Sequence, residues 1–359
     1  MGKTTYSIAV LPGDGIGREV MAAALAVLRA AQGRMGRDCR LAEHPAGAQH
    51  YVDSGESLPE STLAACRVAD AILFGAMGLP HVRKTDGTEI IPQLDIRFAL
   101  DLYAGVRPIR SWPGLPSPLS DPRGANIDLV LIRESTEGLF YARGRGTVEA
   151  DAAYDTMKIT RAGTARVCDF ALTLARQRKA QGRRGHVTNV DKANVFSSMA
   201  FWRRVFEERA KAFADISTDH AYVDAMALNL VMKPWEYDVL VTENMFGDIL
   251  SDLIAALVGG MGMAPSADIG EHYALFQPAH GTAPDIAGKG IANPSAMILS
   301  VAMMLDWLAV RHGDTALADG ARAIERALHA AFSEKAVLPR DFGGHSSTAD
   351  VVRAVVERL

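Results

Sequence analysis

Apolar and polar positions along this chain follow two rhythms that alternate from end to end. Short, nearly unbroken apolar runs predict buried strands at residues 7–11, 69–74, 128–133, 186–190 and 239–242. Between them, apolar residues recur at three- and four-residue spacing. That period predicts helices over 18–32, 95–102, 161–181, 196–213, 296–311, 315–331 and 348–358, with another opening at Leu58-Pro59-Glu60. Residues 103–109 and 216–222 read as extended, and the weak alternation of 144–160 predicts a hairpin arm. Residues 80–92 and the proline-rich 112–122 read as surface loops, the first long enough to carry function. The alternation implies an α/β fold with a largely parallel sheet.

The stretch VLVTENMFGDILSDLIAALVGG, residues 239–260, concentrates the chemistry. A buried strand is followed by Asn244 as expected helix N-cap, then by a helix ended at Gly259-Gly260. Asp248 and Asp252 stand four apart, which puts both carboxylates on one face with Cβ atoms roughly 5–6 Å apart. Two aspartates alone point first to a solvated acidic face. The apolar setting, and Gly247 admitting a close approach to the backbone, favour a divalent cation held by hard oxygen ligands. Other charged groups stand where strands end: Arg133, Lys192 and Asp224, with Arg107 beside Pro108.

Composition narrows the class. At 359 residues, with 48% hydrophobic and 22% charged residues, the chain is an ordinary globular one. A net charge of -4 argues against a general nucleic-acid binder. Cys39, Cys66 and Cys168 have no metal or redox spacing and point to a reducing compartment. The opening residues lack a signal-peptide core and no apolar run reaches spanning length, so no membrane partner and a cytoplasmic location are expected. The glycines of Pro12-Gly13-Asp14-Gly15-Ile16-Gly17 have the wrong spacing for a Rossmann fingerprint.

Seven motifs carry a resemblance that covers nearly the whole chain. They are LPGDGIG (11–17), LYAGVRP (102–108), RESTEG (133–138), VDKANV (190–195), VDAMA (223–227), ENMFGDILSD (243–252) and HGTAPDIAGKGIANP (280–294). Together they resemble the β-decarboxylating dehydrogenases, the family of isopropylmalate, isocitrate, homoisocitrate and tartrate/D-malate dehydrogenases. The resemblance implies a two-domain, non-Rossmann α/β fold with a mixed, largely parallel sheet. Residues 1–102 with 259–359 would bind the cofactor, and 103–258 would supply the clasp arm and interface of a homodimer with shared active sites. It also implies that Arg97, Arg107 and Arg133 grip a malate core, whose carboxylates suit bidentate guanidinium forks. Asp248 and Asp252, with Asp224 from the partner subunit, would hold Mg2+ or Mn2+, with K+ as a further candidate ion. Lys192 of the partner subunit would take the C2 hydroxyl proton, directly or through water. His280, Gly281, Asp285, Asn293, Asn194 and Gln277 would line the cofactor site. Asp285 stands at the family's NAD-selecting position, where a carboxylate would repel a 2′-phosphate.

Two departures follow. Phe140 stands where the family has its catalytic tyrosine, and Tyr141, one residue on, would face the other way in an extended segment. Gln277 replaces a glutamate, removing a charge near the cofactor. Ile90, Gln93 and Leu94 occupy the positions that choose the substrate. The expected reaction is oxidative decarboxylation of a (2R)-2-hydroxy dicarboxylate, a 3-alkylmalate such as 3-isopropylmalate first, D-malate or tartrate next, and isocitrate or homoisocitrate last. Phe140 and Gln277 keep open a non-catalytic regulatory subunit as the alternative.

Overall fold

The computed structural model describes residues 3–359. The first part of the chain runs β1 (Thr5–Leu11), α1 (Ile16–Met35), β2 (Asp38–Glu43), α2 (Ala48–Ser54), α3 (Glu60–Val68) and β3 (Ala71–Phe74). The middle runs α4 (Pro92–Ala99), β4 (Ala104–Arg110), β5 (Asp128–Glu134), β6 (Thr147–Val148), β7 (Ala153–Tyr154), α5 (Arg161–Ala180), β8 (His186–Asp191) and α6 (Ser197–Ala210). It continues through β9 (Ser217–Tyr222), α7 (Val223–Met232), β10 (Val239–Thr242) and α8 (Asn244–Ala256). The last part is β11 (Pro265–Ile269), β12 (Ala274–Pro278), α9 (Ser295–His312), α10 (Thr315–Ser333) and α11 (Thr348–Val356).

Ten strands form one sheet in the order β2-β1-β3-β12-β11-β4-β5-β10-β8-β9. Its flanks are parallel, as the strand–helix alternation requires. The centre is antiparallel, where β11 pairs with both β12 and β4, and β4 pairs with β5. The fold is α/β and, with this antiparallel centre, not a Rossmann one; Asp14, in the glycine-rich turn, spends its carboxylate on the amides of Ala48, Gln49 and Gly78. Strand β6 pairs with β7 as a separate, exposed two-stranded arm, at the place where the weak alternation predicts one.

Three differences from the sequence reading have physical causes. The run Trp112 to Pro122 is not all surface, because Trp112 is buried edge-on against Phe332 with the Arg110 guanidinium over its ring. Helix α9 does reach spanning length, with 18 residues and mean hydropathy 1.2, but 67% of it is buried, as befits a core helix packed on α1, α10 and β12. The N-cap of α8 is Glu243, whose carboxylate accepts from the amides of Met245 and Phe246 at 3.1 and 2.7 Å. Asn244 is thereby freed for other contacts.

Helix α8 turns Leu250 and Ile254 inward, each contributing roughly 1.5–3 kcal/mol by burial. Ile249 on the same helix, and Leu228, Val231 and Met232 on the apolar helix α7, are exposed. A neighbouring pair of helices thus presents large apolar side chains to solvent.

Candidate active site

Three adjacent strands carry the centre of the site. Asp268 on β11 is level with Gly105 on β4, which is level with Arg133 on β5. Arg107 lies two residues beyond Gly105 and so points to the same face. Glycine at 105 is a space requirement: a Cβ there would stand 3.3 Å from Asp268 Oδ1 and 2.8 Å from Ser135 Oγ. Arg97 reaches in from α4, its Nη2 donating to Asp268 Oδ2 at 3.1 Å, while Arg107 Nη2 is 3.7 Å from Asp268 Oδ1. All three arginines and Asp268 are buried. Burial and mutual repulsion push the Arg133 guanidinium down to about 10, which leaves it charged at neutral pH. Burial also raises Asp268, but Arg97, Arg107 and Arg133 outweigh it and hold its carboxyl below the usual aspartate range. Arg97 still has two buried donors, Nε and Nη1, without partners. A buried, underused guanidinium is an anion site awaiting its anion.

Arg133 is held from two sides. Asn244 Oδ1 accepts from its Nε at 2.8 Å, and its Nη1 pairs with Asp248. The close approach that Gly247 permits is that of this arginine's stem: a Cβ on Gly247 would lie 2.7 Å from Arg133 Cβ and Cγ. Asp252 sits one turn beyond Asp248, and burial and the Asp248 charge raise its carboxyl. At the ends of β8 and β9, Lys192 Nζ donates to Asp224 Oδ1 at 2.6 Å, which lowers the Asp224 carboxyl. Behind Lys192, the buried Asp191 is clamped by Arg203. Among the described residues, no three Asp, Glu, His or Cys side chains come together as a metal centre.

Residues 139–142 form a 3-10 turn, not an extended segment. Successive side chains there diverge by about 120°. The Phe140 ring centre lies 4.9 Å from the Arg133 guanidinium carbon, whereas the Tyr141 ring has Arg145 and Lys158 against it. A cleft of about 850 Å3 adjoins Phe140 and is lined also by Ile91, Phe98 and Thr136. A separate cavity of about 550 Å3, lined by Val106, Val130, Trp112 and Trp307, opens on the opposite face of the same strands. Of the substrate-choosing positions, Gln93 stands four residues before Arg97 on α4, its Oε1 buried and unpartnered. Leu94 is buried, and Ile90 is packed in a small satellite core with Ala48 and Val82, so it supports the pocket and does not line it.

The loop after β12 carries the cofactor candidates. Gln277 does not reach into that loop; its Nε2 donates to Asp268 Oδ2 at 2.8 Å. His280 Nδ1 lies 2.9 Å from the Gly281 carbonyl, and its Nε2 is buried without a partner. Burial lowers its basicity, so the ring is neutral at pH 7. Gly281 has open space where a side chain would be, and Asp285 and Asn194 are exposed. Asn293 donates to Asp341.

The model of the family described as isocitrate/isopropylmalate dehydrogenase matches residues 7–355. The chain belongs to that family. It is 41% identical over 365 residues to a 3-isopropylmalate dehydrogenase of Deinococcus radiodurans, covering 98% of this chain and 97% of that one. It is 44% identical over 309 residues to one of Aquifex aeolicus, 84% of each chain. Among solved structures it superimposes on an isocitrate dehydrogenase from Methylococcus capsulatus with TM-score 0.87 and 36% identity, covering 98% of this chain and 99% of that one. A β-decarboxylating dehydrogenase from Thermococcus kodakarensis gives 0.79 and 38%, with 98% and 96% covered. Membership makes the chain a decarboxylating dehydrogenase.

Asp248 and Asp252 have the hard oxygen donors that would fit a divalent cation. They are one helical turn apart, they repel each other, and Asp248 is half exposed with only Arg133 to balance it. Two residues of the candidate site escaped the sequence reading. Asn244 orients Arg133, where the capping rule placed it at the helix end. Asp268 lies in Pro265–Ile269, whose proline, serine and aspartate give no apolar rhythm to betray a buried strand.

Proposed function

We propose that the protein catalyses the NAD-dependent oxidative decarboxylation of a (2R)-2-hydroxy dicarboxylate, with 3-isopropylmalate as first substrate and D-malate or tartrate next. The observation that carries this reading is the triad of buried arginines converging from α4, β4 and β5, one of them with two unpartnered donors. Two carboxylates of a malate core match such forks.

Arg97, Arg107 and Arg133 bind and orient the carboxylates, with Phe140 closing the pocket over Arg133. Lys192 of the partner subunit takes the proton of the C2 hydroxyl, directly or through water. Asp224 of that subunit, its hydrogen-bond partner, would join Asp248 and Asp252 in holding the cation. Asp248 and Asp252 would hold Mg2+ or Mn2+ and the loop from His280 to Asn293 would hold NAD, supplying Lewis acidity and a hydride acceptor respectively. The unpartnered Nε2 of neutral His280 and the exposed carboxylate of Asp285 fit a cofactor with amide and ribose hydroxyl groups.

The active unit in this reading is a homodimer in the cytoplasm, with residues 1–102 and 259–359 as one domain and 103–258 as the other. Supporting it are the exposed apolar faces of α7 and α8, the protruding β6–β7 arm, and an aspartate set that one chain does not bring together. The test is a panel of 3-isopropylmalate, D-malate, tartrate, isocitrate and homoisocitrate with NAD and Mn2+, followed by NADH absorbance. Turnover is expected on a dicarboxylate. No NADH with any of the five sinks the reading, and a monomer by light scattering that is fully active sinks the shared site.

A further inference from the structure

We propose that Asp268 is a specificity-determining residue that restricts the site to substrates with two carboxylates and an uncharged third substituent. This deepens the reading above and rests on it. Asp268 is 1% exposed and stands among the substrate arginines as though it were part of a ligand. Its Oδ2 accepts from Arg97 and from Gln277, and its Oδ1 has no hydrogen-bond partner. Glycine at 105 leaves room for it between β11 and β5. Nothing in the packing of β11 calls for a carboxylate here; the neighbouring groups that answer it are those that would grip the substrate.

The charge count decides what the pocket accepts. With Asp248 and Asp252 set against the divalent cation they would hold, three guanidinium charges against the one remaining internal carboxylate leave two to be matched, which is the charge of a malate core. A third carboxylate on the substrate would enter a dry site already neutral, where an uncompensated charge is strongly disfavoured. Asp268 thus does for this site what a substrate's third carboxylate would do in a site without it. It is also fixed in place beforehand, so no ordering is required when substrate binds. The unpartnered acceptors, Asp268 Oδ1 on the side of Arg107 and Gln93 Oε1 one helical turn before Arg97, add to the effect: they repel an anion and accept from a neutral hydroxyl. The Gln277 amide completes the device. It holds Oδ2 with a donor, where a glutamate would set a second carboxylate 2.8 Å from the first.

The experiment compares kcat/KM for the best dicarboxylate of the panel with that for isocitrate, in wild type and Asp268→Asn. The expected result is a fall of at least tenfold in the dicarboxylate-to-isocitrate ratio, mainly through a lower KM for isocitrate. A structural role alone would lower both activities together. As a second measurement, independent of whether the variant folds, the wild type is inhibited with tricarballylate and with succinate, and tricarballylate is expected to be the weaker by at least tenfold. An unchanged ratio in a folded variant, equal inhibition by the two acids, or a wild type that prefers isocitrate overturns this inference alone. A wild type inactive on every dicarboxylate overturns both it and the reading beneath it.

Discussion

The two halves of the site are built on opposite terms. The arginine grip is finished within one chain: Arg97 from α4 and Arg107, Arg133 and Asp268 from paired strands are all buried, with Asn244 holding Arg133 and Gln277 holding Asp268. The Lys192–Asp224 pair is nearly its reverse. Asp224 is 68% exposed at the side chain, the pair stands at open strand ends, and among the described residues Asp224 belongs to no cluster of three metal-ligating side chains. A group that only binds and orients gains from being fixed in advance, because its ordering cost is met during folding. A group that passes a proton and shares a cation must exchange partners, and exposure permits that. The difference predicts that damage to the pair is felt in chemistry, and damage to the grip in binding and stability.

The sharpest way to break this comparison is Lys192→Ala. Loss of a general base typically costs about 10²–10⁴-fold in rate. Turnover should fall by that much while thermal stability and substrate affinity by calorimetry stay near wild type; near-wild-type activity would remove Lys192 from its role. Next is Gly247→Ala on the grip side. Helix propensity favours alanine by about 1 kcal/mol. The new methyl, however, meets the Arg133 stem at 2.7 Å, and overpacking typically costs about 1–3 kcal/mol. The collision should win, lowering the thermal midpoint and raising KM with kcat little changed; a stabilised variant would show that Arg133 is not tightly seated.

A smaller effect is expected from Phe140→Tyr. The ring lies against Arg133, so an added hydroxyl lies at the pocket wall. CO2 release relative to hydride transfer should rise a few-fold, below the roughly 10²-fold of an evolved general acid. Unchanged rates and KM in stopped flow would mean that residue 140 does not face substrate. The smallest effect is in pH dependence. Asp268 is held below the ordinary aspartate range despite its burial, because three arginines surround it. A depressed carboxyl contributes stability that is present above its unfolded value, about 3.9, and is lost only as pH falls through the lower folded value. The difference in melting temperature between wild type and Asp268→Asn should therefore be flat from neutral pH to about 4 and shrink below. Shrinkage beginning near pH 6 would mean that burial outweighs the arginines.

What was legible in the sequence divides along the same line. The strand Val239–Thr242 and the helix after it were readable because their apolar rhythm is their burial. Lys192 and Asp224 were conspicuous because charges at strand ends stand out. Strand β2, exposed and charged at a sheet edge, and the short α2 left no such rhythm. Asp268 was invisible for a stronger reason: its meaning comes from three arginines far off in sequence, which only the register of β11, β4 and β5 brings to it. Asn244 shows the opposite failure, a local rule obeyed by the residue type and overridden by a tertiary partner.

The place of β11 and β12 bears on how this chain is made. They lie between β3 and β4, yet they are the last strands to leave the ribosome. Until Leu275 and Phe276 emerge to pair with Ile72 and Leu73, β3 is an open edge of apolar residues in the nascent chain. Such an edge is a template for pairing with a neighbour, and contacts this distant in sequence form slowly. N-terminal fragments ending before residue 265 should therefore associate and precipitate, and a growing chain needs shielding of β3 until synthesis passes β12.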